Sequence, residues 1–102
     1  MRKTHSLVQV AMALMADPGG RHWGYDLSKR SGVRSGVLYP VLQRMLDEGW
    51  VQDGWEEQGG VRAKRPPRRY YELTARGRRV LRDEIAQLGQ LVEYAHRKLE
   101  LA

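Results

Sequence analysis

Cysteine is absent from all 102 residues of this chain. Disulfides, thiolate nucleophiles and thiolate metal sites are therefore excluded. No apolar run approaches the roughly 20 residues that a bilayer-spanning helix needs. The basic start Met1-Arg-Lys-Thr-His5 leads into an apolar stretch, Leu7 to Ala16, that Gln9 interrupts and Asp17-Pro18 ends. It reads as a core helix and not as a signal peptide. A cytoplasmic location with no membrane partner is expected. His5, His22 and His96 are scattered, with no second ligand at a helical spacing, so no metal site is expected. Paired carboxylates, a Ser/His/Asp set and a glycine-rich phosphate loop are also missing; Gly59-Gly60 is too short to be one. The expectation is a protein that is not an enzyme and needs no cofactor.

Acidic residues are scarce where basic ones gather. Lys plus Arg number 18 against 12 Asp plus Glu, a formal charge of +6, with a pI near 10.1. Excess positive charge favours polyanions through release of condensed counterions. From Gln58 to Tyr71 there are five basic residues and no acidic one, whereas Val80 to Ala102 mixes both signs. The charge is focused in one place rather than spread as a solubilising coat. A chain of 102 residues makes one domain with an appended element. Such a domain is marginally stable alone, so spare apolar surface is expected to be buried against a second copy.

Thr4 or Ser6 can cap a first helix running to about Ala16, with Leu7, Val8, Ala11, Met12 and Met15 as its apolar stripe and Leu14 widening it. Asp17-Pro-Gly-Gly20 stops it. His22 to Ser31 reads as a two-turn helix with Gly32 at its left-handed end. Ser35 is the expected N-cap of a third helix ending near Gly49. Its buried side is Leu38, Val41, Leu42 and Met45, supported by Leu46. Its other side is Gly36, Tyr39, Pro40, Gln43, Arg44 and Asp47. Two helices joined by a glycine-bearing turn, the second with a polar outer face, form a helix-turn-helix. Trp50 to Glu57 and Arg68 to Leu73 read as two strands of a wing, separated by a basic tip that Pro66-Pro67 stiffens. Thr74 can cap a last helix reaching about Glu100, its first turn weakened by Gly77 by about 1 kcal/mol relative to alanine. Leu81, Ile85, Leu88, Val92, Ala95 and Leu99 are spaced 4, 3, 4, 3, 4, a heptad seam expected to meet another chain.

The fold class expected is mainly α with a small two-stranded β wing: a winged helix-turn-helix over 1–73 and a C-terminal dimerisation helix over 74–102. On the third helix, Gly36 permits close backbone approach, and Ser35 and Tyr39 can donate to phosphates. Gln43 and Arg44 can reach base edges, glutamine suiting adenine and arginine suiting guanine. Arg34 lies in the turn just before. Taken alone, that helix face is explained equally well as a solvated surface; the turn and wing beside it favour contact with double-stranded DNA. In the wing, Arg62, Lys64, Arg65 and Arg68 are placed to meet phosphates. Trp23 and Tyr25 are expected in the core, and Trp50, Trp55, Tyr70 and Tyr71 beneath the wing. A lesser reading places Trp55 or Tyr94 in a small-molecule cavity at a dimer interface. The four arginines Arg76, Arg78, Arg79 and Arg82 oppose the dipole of the helix they open, and solvation is the plainest account of them.

Three stretches carry a family likeness: Trp23-Gly-Tyr-Asp-Leu27, Ser35-Gly-Val-Leu-Tyr-Pro-Val-Leu-Gln-Arg44 and Arg69-Tyr-Tyr-Glu-Leu-Thr-Ala-Arg-Gly-Arg78. Over about Leu7 to Leu99 the chain resembles PadR-type transcriptional regulators. The Leu-Tyr-Pro run followed at this distance by Tyr-Tyr-x-Leu-Thr-x-x-Gly-Arg is the specific part. The resemblance implies a winged helix-turn-helix, a homodimer built through the C-terminal helix, and repression at a palindromic operator. It implies that Tyr39 faces the DNA backbone and that Lys64 and Arg65 occupy wing-tip contact positions. Some members hold planar drugs between tryptophans of the dimerisation helix; this chain has no tryptophan after Trp55. Its wing tip also looks longer, and richer in arginine and proline, than the family's short glycine turn. The resemblance also implies a small planar aromatic effector as a partner. Alternatives of other classes are a winged-helix protein-interaction module without sequence-specific DNA binding and, more weakly, an RNA binder. The latter would want aromatic stacking platforms among the basic residues.

Overall fold

The computed structural model describes residues 4–57 and 66–101. In order they form α1 (His5–Met15), β1 (His22–Trp23), α2 (Gly24–Ser31), α3 (Ser35–Asp47), β2 (Val51–Trp55), β3 (Arg69–Leu73) and α4 (Ala75–Leu101). This is a winged helix-turn-helix with a long C-terminal helix. Thr4 caps α1, its hydroxyl accepting from the Leu7 amide at 3.1 Å. The buried face of α1 is Leu7, Val10, Ala11, Ala13 and Leu14, whereas Met12 is 57% exposed. The face is thus rotated from the expected stripe: Val10 and Ala13 join it and Met12 leaves. Packing against α2, α3 and α4 together requires a broader face than one stripe supplies.

The two wing strands, β2 and β3, pair as expected, and a short further strand joins them. The antiparallel sheet has three strands in the order β1-β3-β2, with His22 opposite Tyr71 and Trp23 opposite Tyr70. His22 and Trp23 were expected to be helical. Instead the Asp17–Gly20 turn delivers them to the free edge of β3, where their backbone groups find partners and the edge is covered. His22 is wholly buried. Its Nε2 donates to the Asp17 carbonyl at 2.8 Å, and its Nδ1 accepts from Arg30 at 3.2 Å. Helix α2 therefore begins at Gly24. Trp23 holds its cap position in extended backbone, and a Cβ on Gly24 would collide with the hydroxyl end of Tyr39.

Gly32 ends α2 at φ 74°. The short link to α3 is tied on both sides of Val33: the Ser28 hydroxyl donates to its carbonyl at 2.7 Å, and its amide donates to Ser31 Oγ at 3.1 Å. The extended residue that follows is Arg34, so Arg34 and not Ser35 holds the N-cap position of α3, without a side-chain cap bond. Ser35 is the first helical residue. Leu38, Val41, Leu42 and Met45 are buried as the periodicity requires. Gly49, at φ 73°, closes α3 with a Schellman pattern: Trp50 N–H to Met45 C=O at 2.8 Å and Gly49 N–H to Leu46 C=O at 3.0 Å.

A single core joins α1, α2, α3, the sheet and the start of α4. It includes Leu14, Leu27, Leu42, Trp50, Tyr71 and Leu81. Leu81, the first residue of the heptad seam, is 2% exposed and belongs to the core of the chain itself. Ile85 and Leu88 are half-buried beside α1, and Val92, Ala95 and Leu99 are exposed. Thr74 caps α4, its hydroxyl oxygen accepting from the Gly77 amide at 2.9 Å. That hydroxyl also donates to the Gly49 carbonyl at 2.6 Å, riveting the start of α4 to the end of α3. Among the described residues no helix is long and apolar enough to cross a membrane. Nor do the described residues contain three His, Asp or Glu side chains placed to hold a metal ion.

Candidate nucleic-acid interface

Helix α3 presents its polar face outward because its other face is spent on the core. Arg34, Ser35, Gly36, Tyr39, Pro40, Gln43 and Arg44 are all exposed along that face. Gly36 has nothing within 4 Å of where a Cβ would stand, so no side chain of the protomer needs that space. Gln43 donates through Nε2 to Asp47 Oδ1 at 3.1 Å, one turn on. This bond holds the amide in place and leaves its carbonyl oxygen as an acceptor.

The wing base stands next to α3. Its strands pair from Val51 opposite Leu73 to Trp55 opposite Arg69. Glu56 Oε1 accepts from the Arg68 amide at 3.1 Å and lies 3.4 Å from Arg68 Nε, anchoring the arginine where the wing leaves the sheet. Its guanidinium lies over the Trp23 ring at 6.0 Å. Arg69 is committed to Asp53, at 2.5 Å through Nη2 and 2.8 Å through Nε. Burial raises the Tyr71 pKa, against the lowering effect of the Arg69 guanidinium, so Tyr71 is a neutral phenol. Arg62, Lys64 and Arg65 lie outside the described residues.

One cleft unites residues from distant parts of the chain: Trp23 and Tyr25 from the sheet edge and α2, Tyr39 from α3, and Trp55 and Arg68 from the wing. Tyr39 and Arg68, singled out separately in the sequence, thus flank the same depression. Trp55 and Tyr94 do not come together. Trp55 is 65% exposed beside this cleft, while Tyr94 is 54% exposed on the outer length of α4. Tyr25 was expected in the core but is 67% exposed, with Lys29 over its ring at 5.0 Å. The buried residues of α2 are Gly24, Leu27 and Ser31, and Tyr25 lies off that 3–4 spacing, a signal present in the sequence. Arg21 was not singled out either; it stacks over Tyr70 at 4.3 Å at the outer edge of the sheet. Of the four arginines opening α4, Arg76 donates from Nε to the Glu48 carbonyl at 3.2 Å. Its charge thereby serves the negative C-terminal end of α3.

A model of the transcriptional regulator PadR-like family matches residues 18–83, the span that carries the helix-turn-helix, the sheet and the first turns of α4. The chain belongs to this family. Its fold is shared by a PadR family transcription regulator from Clostridium difficile R20291, 17% identical, with a TM-score of 0.77 over 94% of this chain and 99% of that one. A PadR family regulator from Eggerthella lenta is 27% identical, with a TM-score of 0.69 over 92% of this chain and 80% of that one. Bacillus subtilis PadR, solved in complex with operator DNA, is 22% identical, with a TM-score of 0.60; the match covers 78% of this chain and 46% of that longer one. No curated protein sequence matches the chain significantly.

Proposed function

We propose that this PadR-like protein is a homodimeric repressor that binds a palindromic operator and is released by a small aromatic effector. The observation that carries the reading is the exposed polar face of α3 standing beside the wing base, with Tyr39 and Arg68 flanking one depression. Two α3 helices would enter successive major grooves, about 34 Å apart on one face of the duplex. Tyr39, Ser35, Arg34 and the wing-base Arg68 would meet phosphates, as would Arg62, Lys64 and Arg65 of the wing tip. Gln43 and Arg44 would address base edges. The α4 seam beyond Leu81, from Ile85 to Leu99, would join the two copies. The protein acts by occupying DNA in the cytoplasm, without catalysis.

Selection of bound duplexes from a random pool tests this directly. The expected product is a palindromic consensus with half-sites one helical turn apart. Binding that ignores base order and lacks a steep salt dependence would favour the protein-interaction module instead.

Two substitutions separate contact from fold. Gln43→Ala should relax preference at one base pair by about 1–3 kcal/mol if the contact is bidentate. Unchanged discrimination in a binding assay on single-base operator variants would remove Gln43 from the reading set. Gly36→Ala should leave the fold intact or raise the melting temperature, since the site is open and alanine favours helix. The same change should weaken duplex affinity if the DNA backbone approaches Gly36 closely. Measured together, the melting temperature should hold or rise while duplex affinity falls; unchanged affinity would remove Gly36 from the contact face.

A further inference from the structure

We propose that Gly24 is a positioning residue for DNA binding: by presenting no side chain at the start of α2, it seats the phenol of Tyr39 and fixes where that hydroxyl meets a phosphate. The positioning role rests on the DNA-binding reading above; the seat itself does not.

Gly24 is the first residue of α2 and is buried. Only Gly32 and Gly49 have positive φ among the described residues, so the backbone at Gly24 does not require a glycine. Helix propensity taken alone favours alanine there. The three atoms nearest to a Cβ placed on Gly24 all belong to Tyr39: the hydroxyl oxygen, then Cζ at 3.0 Å and Cε1 at 3.2 Å. The fold thus uses the missing methyl and not the freedom of the backbone.

Tyr39 reaches this seat from α3. It lies one turn beyond Ser35, and long side chains of a helix lean back over the preceding turn. The lean carries the ring off α3 and onto the start of α2. The residue nevertheless stays 48% exposed and lines the same cleft as Arg68. In a helix-turn-helix the second helix lies in the major groove and the first crosses the backbone. A side chain that bridges the two stands where a phosphate passes. Seated on the glycine, the hydroxyl is ordered before DNA arrives. An unseated phenol has to be ordered on binding, which weakens affinity. Gly77 makes the contrast: a Cβ there would strike the Trp50 backbone, whereas a Cβ on Gly24 would strike the far end of an exposed side chain. Gly24→Ala is therefore relieved when Tyr39 swings outward, and the rest of the fold stays in place.

The test uses the full chain and a duplex selected from a random pool. Gly24→Ala should keep its melting temperature and lose duplex affinity about tenfold per half-site, the loss of one ordered hydrogen bond to a charged group. Tyr39→Ala should lose as much. Gly24→Ala combined with Tyr39→Ala should lose no more, because the seat then has no occupant. A neutral hydroxyl releases no counterion, so the salt dependence of affinity should keep its slope in all three variants. Without DNA, the chain carrying 3-fluorotyrosine should show a Tyr39 fluorine signal, identified by its loss in Tyr39→Phe. Gly24→Ala should shift that signal further than any other. A Tyr39 signal that does not move overturns the seat. A moved signal with unchanged affinity, additive losses in the double variant, or a changed salt slope overturns the positioning role. Should Gly24→Ala unfold, the double variant decides: recovered melting with the affinity of Tyr39→Ala upholds the proposal, and continued unfolding overturns it. If the unsubstituted chain binds no duplex, the DNA reading fails and the positioning role with it, while the fluorine spectrum still decides the seat.

Discussion

Gly77→Ala should destabilise the protein by about 2–4 kcal/mol, although helix propensity taken alone gives the opposite sign, about 1 kcal/mol in favour of alanine. Gly77 lies in the opening turn of α4, where an added Cβ would overlap the Trp50 carbonyl oxygen. That oxygen cannot simply yield. It accepts from the Thr74 amide at 3.0 Å and from the Thr74 hydroxyl at 3.2 Å. The same hydroxyl is bonded to the Gly49 carbonyl, which follows the end of α3. Forcing the backbones apart incurs overpacking strain of about 1–3 kcal/mol. It also strains hydrogen bonds worth about 1 kcal/mol each. Against a total stability of about 5–15 kcal/mol this is a large fraction. Urea unfolding measures it: the midpoint should fall with little change in slope. A midpoint that stays or rises would show that α4 can shift away from Trp50 freely.

If α4 joins two copies as proposed, Val92→Glu should turn the dimer into a monomer and lower affinity for a two-half-site duplex by about 10²–10⁴-fold, the gain that linking two binding modules provides. Val92 is 54% exposed in the protomer, so the substitution leaves the protomer core untouched. A carboxylate in a heptad seam would be buried, unpaired and facing its own copy. Sedimentation gives the mass and duplex titration the affinity. A Val92→Glu protein that remains dimeric would remove this face from the interface. Leu81→Ala is the contrasting change on the same seam. Leu81 is 2% exposed within its own protomer, so its truncation should cost about 2–5 kcal/mol of folding stability.

The helices were legible because their patterns are local. In α3 the spacing of Leu38, Val41, Leu42 and Met45 predicts the buried side without reference to anything else. The left-handed turns at Gly32 and Gly49 follow from glycine's freedom at positive φ. The third strand was not legible. His22-Trp23 is too short to show an alternation, and its partner β3 lies far along the chain. Tyr25 and Met12 were misplaced because an amphipathic helix packed against several neighbours turns its face to fit them all. Gly77 read as a weak point in α4 for the same reason: the carbonyl that demands a glycine there belongs to Trp50.

The order of helices, turn and wing, the core of α3, the focused charge and the family likeness follow from the residues alone, because each rests on neighbours a few positions apart. Only the folded chain decided that β1 covers the edge of β3, that Leu81 lies inside its own protomer, and that Trp23, Tyr39, Trp55 and Arg68 meet around one cleft. Those juxtapositions arise from packing between segments distant in the chain, and no local pattern encodes a distance through space.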